Sequence, residues 1–515
     1  MPLIRAIATV GGWTMGSRVL GFVRDIFIAA FLGAGQVGDA FFVALQFPNI
    51  FRRLFAEGAF NAAFIPLFAG ELTEHGREAA RAFAERVFGI MLLILIVLSV
   101  LVEIFMPEVM AVVAGGFIDE PEKFQLVVDF ARLTFPYLLF VSLSAMLGGI
   151  LNTLEKFAAA AAAQILLNIV LIGALTGVAL DWLPDPGLAL SWGVLIAGVG
   201  QFVWLAAMCL RTGLMPVVPR LVFGPRVKRL FILMGPGILG AGVYQINVLV
   251  GVRLASELPE GSVSFLYFAD RVTQLPLGVV GAAVGIALLP LLSRQLKAGD
   301  TDAARDSQNR AIEFAMLLTL PAAAALLIVA DPIVTVLFQR GAFDAGDAAA
   351  TGAALAAFAL GLPAYVLIKA LAPGFFARED TATPVKIAAL ALVMNVALAL
   401  ALMPMLAHVG IALATAVSAW INAGLLAALL YRRGLLEPDR RLMTRLLRML
   451  IAALLMAGAL WLIAGALASP LAQSDLPGVA ALMLLVVVGM AVYGMLAQLL
   501  KATSLAEMRL MFRRG

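Results

Sequence analysis

A chain of 515 residues that is 63% hydrophobic, with a mean hydropathy of +1.02, cannot fold as a water-soluble globule, because no interior could hide that much apolar surface. One cysteine, Cys209, excludes a disulfide framework and a cysteine-based metal cluster, and two distant histidines, His75 and His408, leave no zinc site. The composition points to an all-α polytopic membrane protein, in which the formal charge of +4 matters through where its cations fall.

Apolar runs of about 20 residues, enough to cross a bilayer, fall at 4–32, 39–68, 87–113, 127–151, 158–180, 188–210, 229–256 and 262–292, then at 311–337, 347–376, 384–404, 409–431, 449–468 and 478–500. Fourteen transmembrane helices are therefore predicted. Arg18 interrupts the first run and no cleavage site follows, so the N-terminus is expected to stay on the protein. The first two runs carry Arg18, Arg24, Arg52 and Arg53 at membrane depth, with Asp25, Asp39 and Glu57 among them. Each central arginine costs roughly 3 kcal/mol on insertion scales, so the set is expected to face water, acids or an anionic ligand. Arg53 with Glu57 at i and i+4, and Arg18 with Asp25, offer partial internal neutralisation. Glycines 11, 12, 16 and 21 in the first run suit close approach of a helix or a ligand, and Pro48 and Pro276 are expected to kink their helices.

With the N-terminus inside, the cytoplasmic side receives 26 of the 36 lysines and arginines, and the outer side and its margins receive Lys123, Arg132, Arg253 and Arg340. This asymmetry places both termini in the cytoplasm. Six cations remain at depth: Arg18, Arg24, Arg52, Arg53, Arg271 and Lys369. Against them stand four acids, Asp25, Asp39, Glu57 and Asp270, which leaves the interior about two charges positive.

A faint duplication runs at an offset of 224 to 228 residues: Pro48 matches Pro276, Ala63, Pro66 and Leu67 match Ala287, Pro290 and Leu291, Pro136 matches Pro363, and Asn168 matches Asn395. Each repeat holds six helices, an even number, so the two lobes share one orientation and would enclose a cavity able to open to either side. The expected division is 1–212 for the first lobe, 213–432 for the second, and 433–515 for helices thirteen and fourteen with a cytoplasmic tail. Arginine dominates the charged interior, and its planar fork suits bidentate contact with phosphate oxygens. No Walker A sequence, HExxH or GxSxG is present, so energy is expected from a gradient; outward movement of an anion is favoured by about 2.3 kcal/mol per charge per 100 mV.

The segments SRVLGFVRD at 17–25, DAFFVA at 39–44, PNIFRRLFAEGAF at 48–60, YFADR at 267–271 and LAPGFFAREDTATPVK at 371–386 resemble the lipid II flippase family, MurJ or MviN, of the multidrug/oligosaccharidyl-lipid/polysaccharide exporter superfamily. The resemblance covers essentially the whole chain. It implies two six-helix lobes forming a V-shaped cavity, with the last two helices forming a groove for the lipid tail. It also implies a bacterial inner-membrane flippase for lipid II, a disaccharide-pentapeptide on a polyprenyl pyrophosphate. The family's cavity arginines correspond to Arg18, Arg24, Arg52 and Arg271, with Asp25 and Asp39 as associated acids; Ser17, Arg53 and Lys369 complete the candidate substrate-binding set. Gln46 and Gln274 stand where some members carry a lysine and an acid. No cofactor or metal is expected, while a coupling cation, sodium or proton, and the membrane potential are the candidate driving forces. Lipid II and membrane lipids are the expected partners, with no nucleic acid, and the protein is expected to be monomeric near the cell-wall synthesis machinery.

Three other functions remain open from the residues: transport of another polyprenyl-linked glycan, cation or drug antiport, and membrane glycosyl transfer. Antiport of cations calls for surplus cavity acids. Glycosyl transfer needs a catalytic carboxylate among substantial outer loops, and here 33–38, 182–187 and 404–409 are short, with 115–124 somewhat longer.

Overall fold

In the computed structural model, which describes residues 2–55 and 58–503, every regular element is a helix. That is what a bilayer demands, since a helix satisfies its backbone hydrogen bonds within itself. Two compact units divide the chain at Val263 and Ser264.

The first unit contains α1 (Pro2–Leu32), α2 (Gln36–Phe55), α3 (Ala59–Ile104), α4 (Met106–Val113), a 3-10 turn (Gly115–Asp119), α5 (Pro121–Thr134), α6 (Tyr137–Thr153), α7 (Phe157–Ala179), α8 (Pro186–Thr212) and α9 (Pro225–Ala255). The predicted run 39–68 is interrupted at Gly58, where φ is 58°, while Pro48 sits within α2 without ending it. A left-handed φ is cheap only for glycine, so the break falls there. Glu57 lies outside the described residues. Phe47 and Phe51 of α2 close on Phe135 at centroid distances of 5.1 and 5.8 Å, fixing α2 to the α5–α6 corner. The α8–α9 linker lies against α3: the Arg220 amide donates to the Glu85 carbonyl at 3.1 Å and its guanidinium pairs with the Glu85 carboxylate at 2.9 Å. A Cβ on Gly89 would come within 2.6 Å of the Arg220 backbone nitrogen, so the linker needs a glycine beneath it.

The second unit contains α10 (Ser262–Lys297, whose first two residues belong to the first unit), α11 (Thr301–Ile328), α12 (Ala330–Phe338), α13 (Ala345–Phe376), α14 (Ala382–Arg432), α15 (Arg440–Ala466), α16 (Ala468–Leu471) and α17 (Leu476–Leu499). Aspartates start four of these helices and one in the first unit: the Asp185, Asp300, Asp344, Asp439 and Asp475 side chains accept backbone amides at the beginnings of α8, α11, α13, α15 and α17. The predicted runs 384–404 and 409–431 are two helical stretches within α14 that meet at a sharp bend at Ala407, where φ is 47° and ψ −132°. Met449 and Met456 of α15 and Leu485 and Tyr493 of α17 are buried in one cluster with Leu317 and Phe375, so the last two helices are part of this unit's core.

Helix boundaries repeat at the offset read from the sequence. The bend at Phe105, between α3 and α4, recurs at Val329, between α11 and α12, with φ, ψ of −98°, 23° and −114°, 29°. The start of α5 at Pro121 recurs at Ala345, and the start of α7 at Phe157 recurs at Ala382. Two six-helix lobes related by a parallel repeat, followed by two further spanning helices, are therefore the architecture. The boundary by packing follows α9 rather than the repeat, because α9 lies on α2 and α3.

By length and hydropathy, nine of the described helical stretches can cross a membrane unaided. In α1 and α2 the charges themselves interrupt the apolar run: Arg18, Arg24 and Asp25 in the first, Asp39, Arg52 and Arg53 in the second.

Candidate functional site

α1 presents two different faces. On one, Arg18 is exposed beside the uncovered apolar side chains Met15 and Val19. On the other, Arg24 and Asp25 are buried, at 5% and 2% exposure. The Arg24 guanidinium donates to Asp25 Oδ1 from Nε at 3.0 Å and Nη2 at 2.6 Å, and its Nη1 donates to Asn168 Oδ1 at 3.0 Å. Asn168 Nδ2 in turn donates to the Ser17 carbonyl at 3.0 Å, with the Ser17 hydroxyl at 3.4 Å. Three nitrogens of Arg24 are thus committed to an acid one residue away and an amide on α7. Asn168, which the repeat singled out, binds α7 to α1.

α2 carries two sites at its opposite ends. Near its C-terminus, Arg52 is half-buried and its Nε donates to Asn49 Oδ1 at 2.9 Å, while Asn49 Nδ2 donates to the Leu45 carbonyl at 2.7 Å; Arg53 is exposed. This chain orients the Arg52 fork along the helix. At the N-terminus, Asp39 is 1% exposed and pairs at 3.0 Å with Lys123 Nζ, which is equally buried. The sequence placed Lys123 at the outer margin and grouped Asp39 with the cavity arginines; the partner found for Asp39 is a lysine 84 positions away.

In the second unit, Arg271 of α10 is half-buried, its guanidinium 5.5 Å from the centre of the Tyr267 ring. Gln274 donates to Asp270 one turn away. Lys369 of α13 is an exposed residue whose side chain lies over Gly281 of α10, where a Cβ would sit 2.7 Å from its Cδ and 2.8 Å from its Nζ. The candidate residues therefore form two groups, Ser17 to Arg53 in the first unit and Arg271 with Lys369 in the second.

One acid belongs with the membrane-depth charges although the count from the sequence omitted it. Glu103 lies inside the predicted run 87–113, has a buried Oε1 with no hydrogen-bond partner among the described residues, and feels the charge of Arg132. No group of three or more metal-ligating side chains occurs among the described residues.

An all-helical, internally duplicated chain with nine described stretches long and apolar enough to cross a bilayer is a polytopic membrane protein. Its fold is shared with a multidrug resistance MATE family transporter of the MOP superfamily in an inward-facing conformation: TM-score 0.68, 16% identity, covering 84% of this chain and 98% of that one. The fold of a lipid II flippase MurJ in an inward closed conformation matches with TM-score 0.79 at 24% identity over 95% of this chain and 98% of the other. The family model described as lipid II flippase MurJ matches residues 28–502, and the chain belongs to that family. It is 47% identical to a probable lipid II flippase MurJ of Rhizobium meliloti, over all of this chain and 97% of the relative. It is 36% identical to the lipid II flippase MurJ of Burkholderia cenocepacia, over 89% of each chain.

Proposed function

We propose that this protein carries lipid II from the inner to the outer leaflet of the bacterial inner membrane by alternating access, with both termini in the cytoplasm. The observation that carries the reading is end-to-end similarity at 47% identity to a relative named for that activity. Chemistry supports it. A polyprenyl pyrophosphate needs a wet, cationic path for its charged hinge while its tail remains in lipid, and Arg18, Arg24, Arg52, Arg53 and Arg271 all stand within predicted membrane runs.

In this reading Arg18, Arg52 and Arg53 of the first unit and Arg271 and Lys369 of the second serve the headgroup, with Arg24, Asp25, Asp39 and Ser17 shaping the first group. Lobes 1–212 and 213–432 alternate, residues 433–515 add the tail-binding helices, and the membrane potential, with a sodium ion or proton as the coupling cation, supplies the drive. The protein acts as a monomer beside the enzymes that consume its cargo.

The test is translocation of lipid II in vesicles containing the purified protein under an imposed potential. Transport by the parent, abolished in Arg271→Ala with insertion intact, is expected. A parent that moves another polyprenyl-linked glycan but leaves lipid II in place would overturn the substrate assignment.

A further inference from the structure

α2 and α10 begin at equivalent places in the repeat, and their starts meet. The Gln36 amide, at the first residue of α2, donates to Glu260 Oε1 at 2.9 Å, and the two residues are 224 positions apart, the repeat offset itself. Reciprocally, the Gly261 amide, just before α10, donates to Asp39 Oδ2 at 2.9 Å. The turn before α10 thus supplies an acid to the start of α2, and the first turn of α2 supplies one to that turn. Two helix N-termini brought together carry like partial charges, so their apposition needs such acids. Glu260 is exposed, but Asp39 is 1% exposed and would be costly alone.

Lys123 meets that cost. It stands in the first turn of α5, is 1% exposed, reaches the same Asp39 Oδ2 at 3.0 Å, and lies 4.2 Å over the Phe117 ring. The neighbouring 3-10 turn is tied to the same loop, since the Gly116 amide donates to the Ser256 hydroxyl at 3.1 Å. All of these residues belong to the unit Met1–Val263. By the distribution of cations, this end of the protein faces outward.

We propose that Lys123 is a positioning residue for transport: it holds Asp39 as the acceptor that fastens the start of α2 to the loop entering α10, forming a latch on the outer side. Outward opening releases the Gly261 and Gln36 amides while Asp39 stays on Lys123. The proposal rests on the alternating-access reading and is independent of which lipid is carried.

The test is labelling of Ser262→Cys, a position 2% exposed within the latch, by a membrane-impermeant maleimide outside right-side-out vesicles. The one native cysteine, Cys209, is replaced by alanine. In Lys123→Met the label should enter at least about tenfold faster than in the parent, a shift of about 1.4 kcal/mol in the opening equilibrium. Adding Asp39→Asn removes the carboxylate charge that Lys123 had neutralised but keeps an oxygen for Gly261, so the double variant should return toward the parental rate. Equal rates in the parent and Lys123→Met overturn the latch. A double variant as fast as the single overturns action through Asp39. Should Lys123→Met fail to insert, rescue of insertion by Asp39→Asn is the same cycle read earlier, and failure of rescue overturns it. The label needs no lipid II, so a wrong substrate assignment leaves these rates unchanged.

Discussion

Arg24 combines a buried structural pair with a place in the proposed path, and the two roles separate experimentally. Removing it leaves the Asp25 carboxylate buried without its cation, a loss of roughly 3–5 kcal/mol for a broken buried pair. Arg24→Ala is therefore expected to lower thermal stability sharply and abolish transport, whereas Arg24→Ala with Asp25→Ala should regain most of the stability and none of the transport. Transport restored in the double variant would reduce Arg24 to a counter-ion. Arg52 poses a different question, because its Nε is held by Asn49 one turn back on the same helix and it has no buried acid beside it in sequence. If the fork grips pyrophosphate, Arg52→Lys loses one of two parallel charge-assisted bonds, about 1.5–3 kcal/mol, or a ten- to hundredfold weaker grip. Lipid II binding to the purified variant within about twofold of the parent would show that a point charge suffices.

Connections between helices explain part of a stretch that the sequence marked only by resemblance. Within LAPGFFAREDTATPVK, Glu379 takes a φ of 62° and Asp380 closes the turn into α14, accepting from the Thr383 hydroxyl at 2.7 Å, the Thr383 amide at 2.9 Å and Arg433 at 2.8 Å. The Thr383 hydroxyl bond first, then its amide and Arg433, hold the Asp380 carboxyl down to about 2 from an ordinary 3.8. A carboxyl depressed in the folded protein stabilises it above the ordinary carboxylate range, and that stabilisation disappears as pH falls from about 4 to about 2. Melting temperature followed over that window should fall more steeply in the parent than in Asp380→Asn; identical slopes would show that the turn does not depend on the charge. For α15 and α17 the structure finds both packing and an uncovered face: Leu454 and Met490 are 60% and 65% exposed while Met456 and Leu485 are buried. Leu454→Gln and Met490→Gln are expected to impair long-chain substrates more than short-chain analogues if that face carries the tail. Equal losses would assign it to the fold alone.

At the scale of the whole molecule, topology is the property most open to direct measurement. Single cysteines in place of Gly299, between α10 and α11, and Trp182, between α7 and α8, should be labelled from the cytoplasmic and outer sides respectively. Labelling of both from one side would reverse or break the orientation on which the outer latch depends. A concentration of arginines at one end of the second unit fits the expected cytoplasmic side: Arg310, Arg441 and Arg445 all contact Glu313, which is 6% exposed, joining the start of α15 to α11.

Spanning length, the duplication and the arginines at depth were legible in the sequence, because hydropathy, charge and spacing are properties of short stretches that the bilayer sorts directly. The pairing of those charges was not. Asp39 finds Lys123 across 84 residues, Arg24 finds Asn168 across 144, and Gln36 finds Glu260 across 224. The break at Gly58 escaped the hydropathy pattern, which senses apolar length but not a single backbone dihedral, whereas the gap it left at 404–409 contains the bend at Ala407. Composition decided that this chain would cross the membrane many times with charge inside it. Only helix packing decided which charges neutralise one another, since a carboxylate takes whichever cation the tertiary structure brings within about 3 Å of its oxygens.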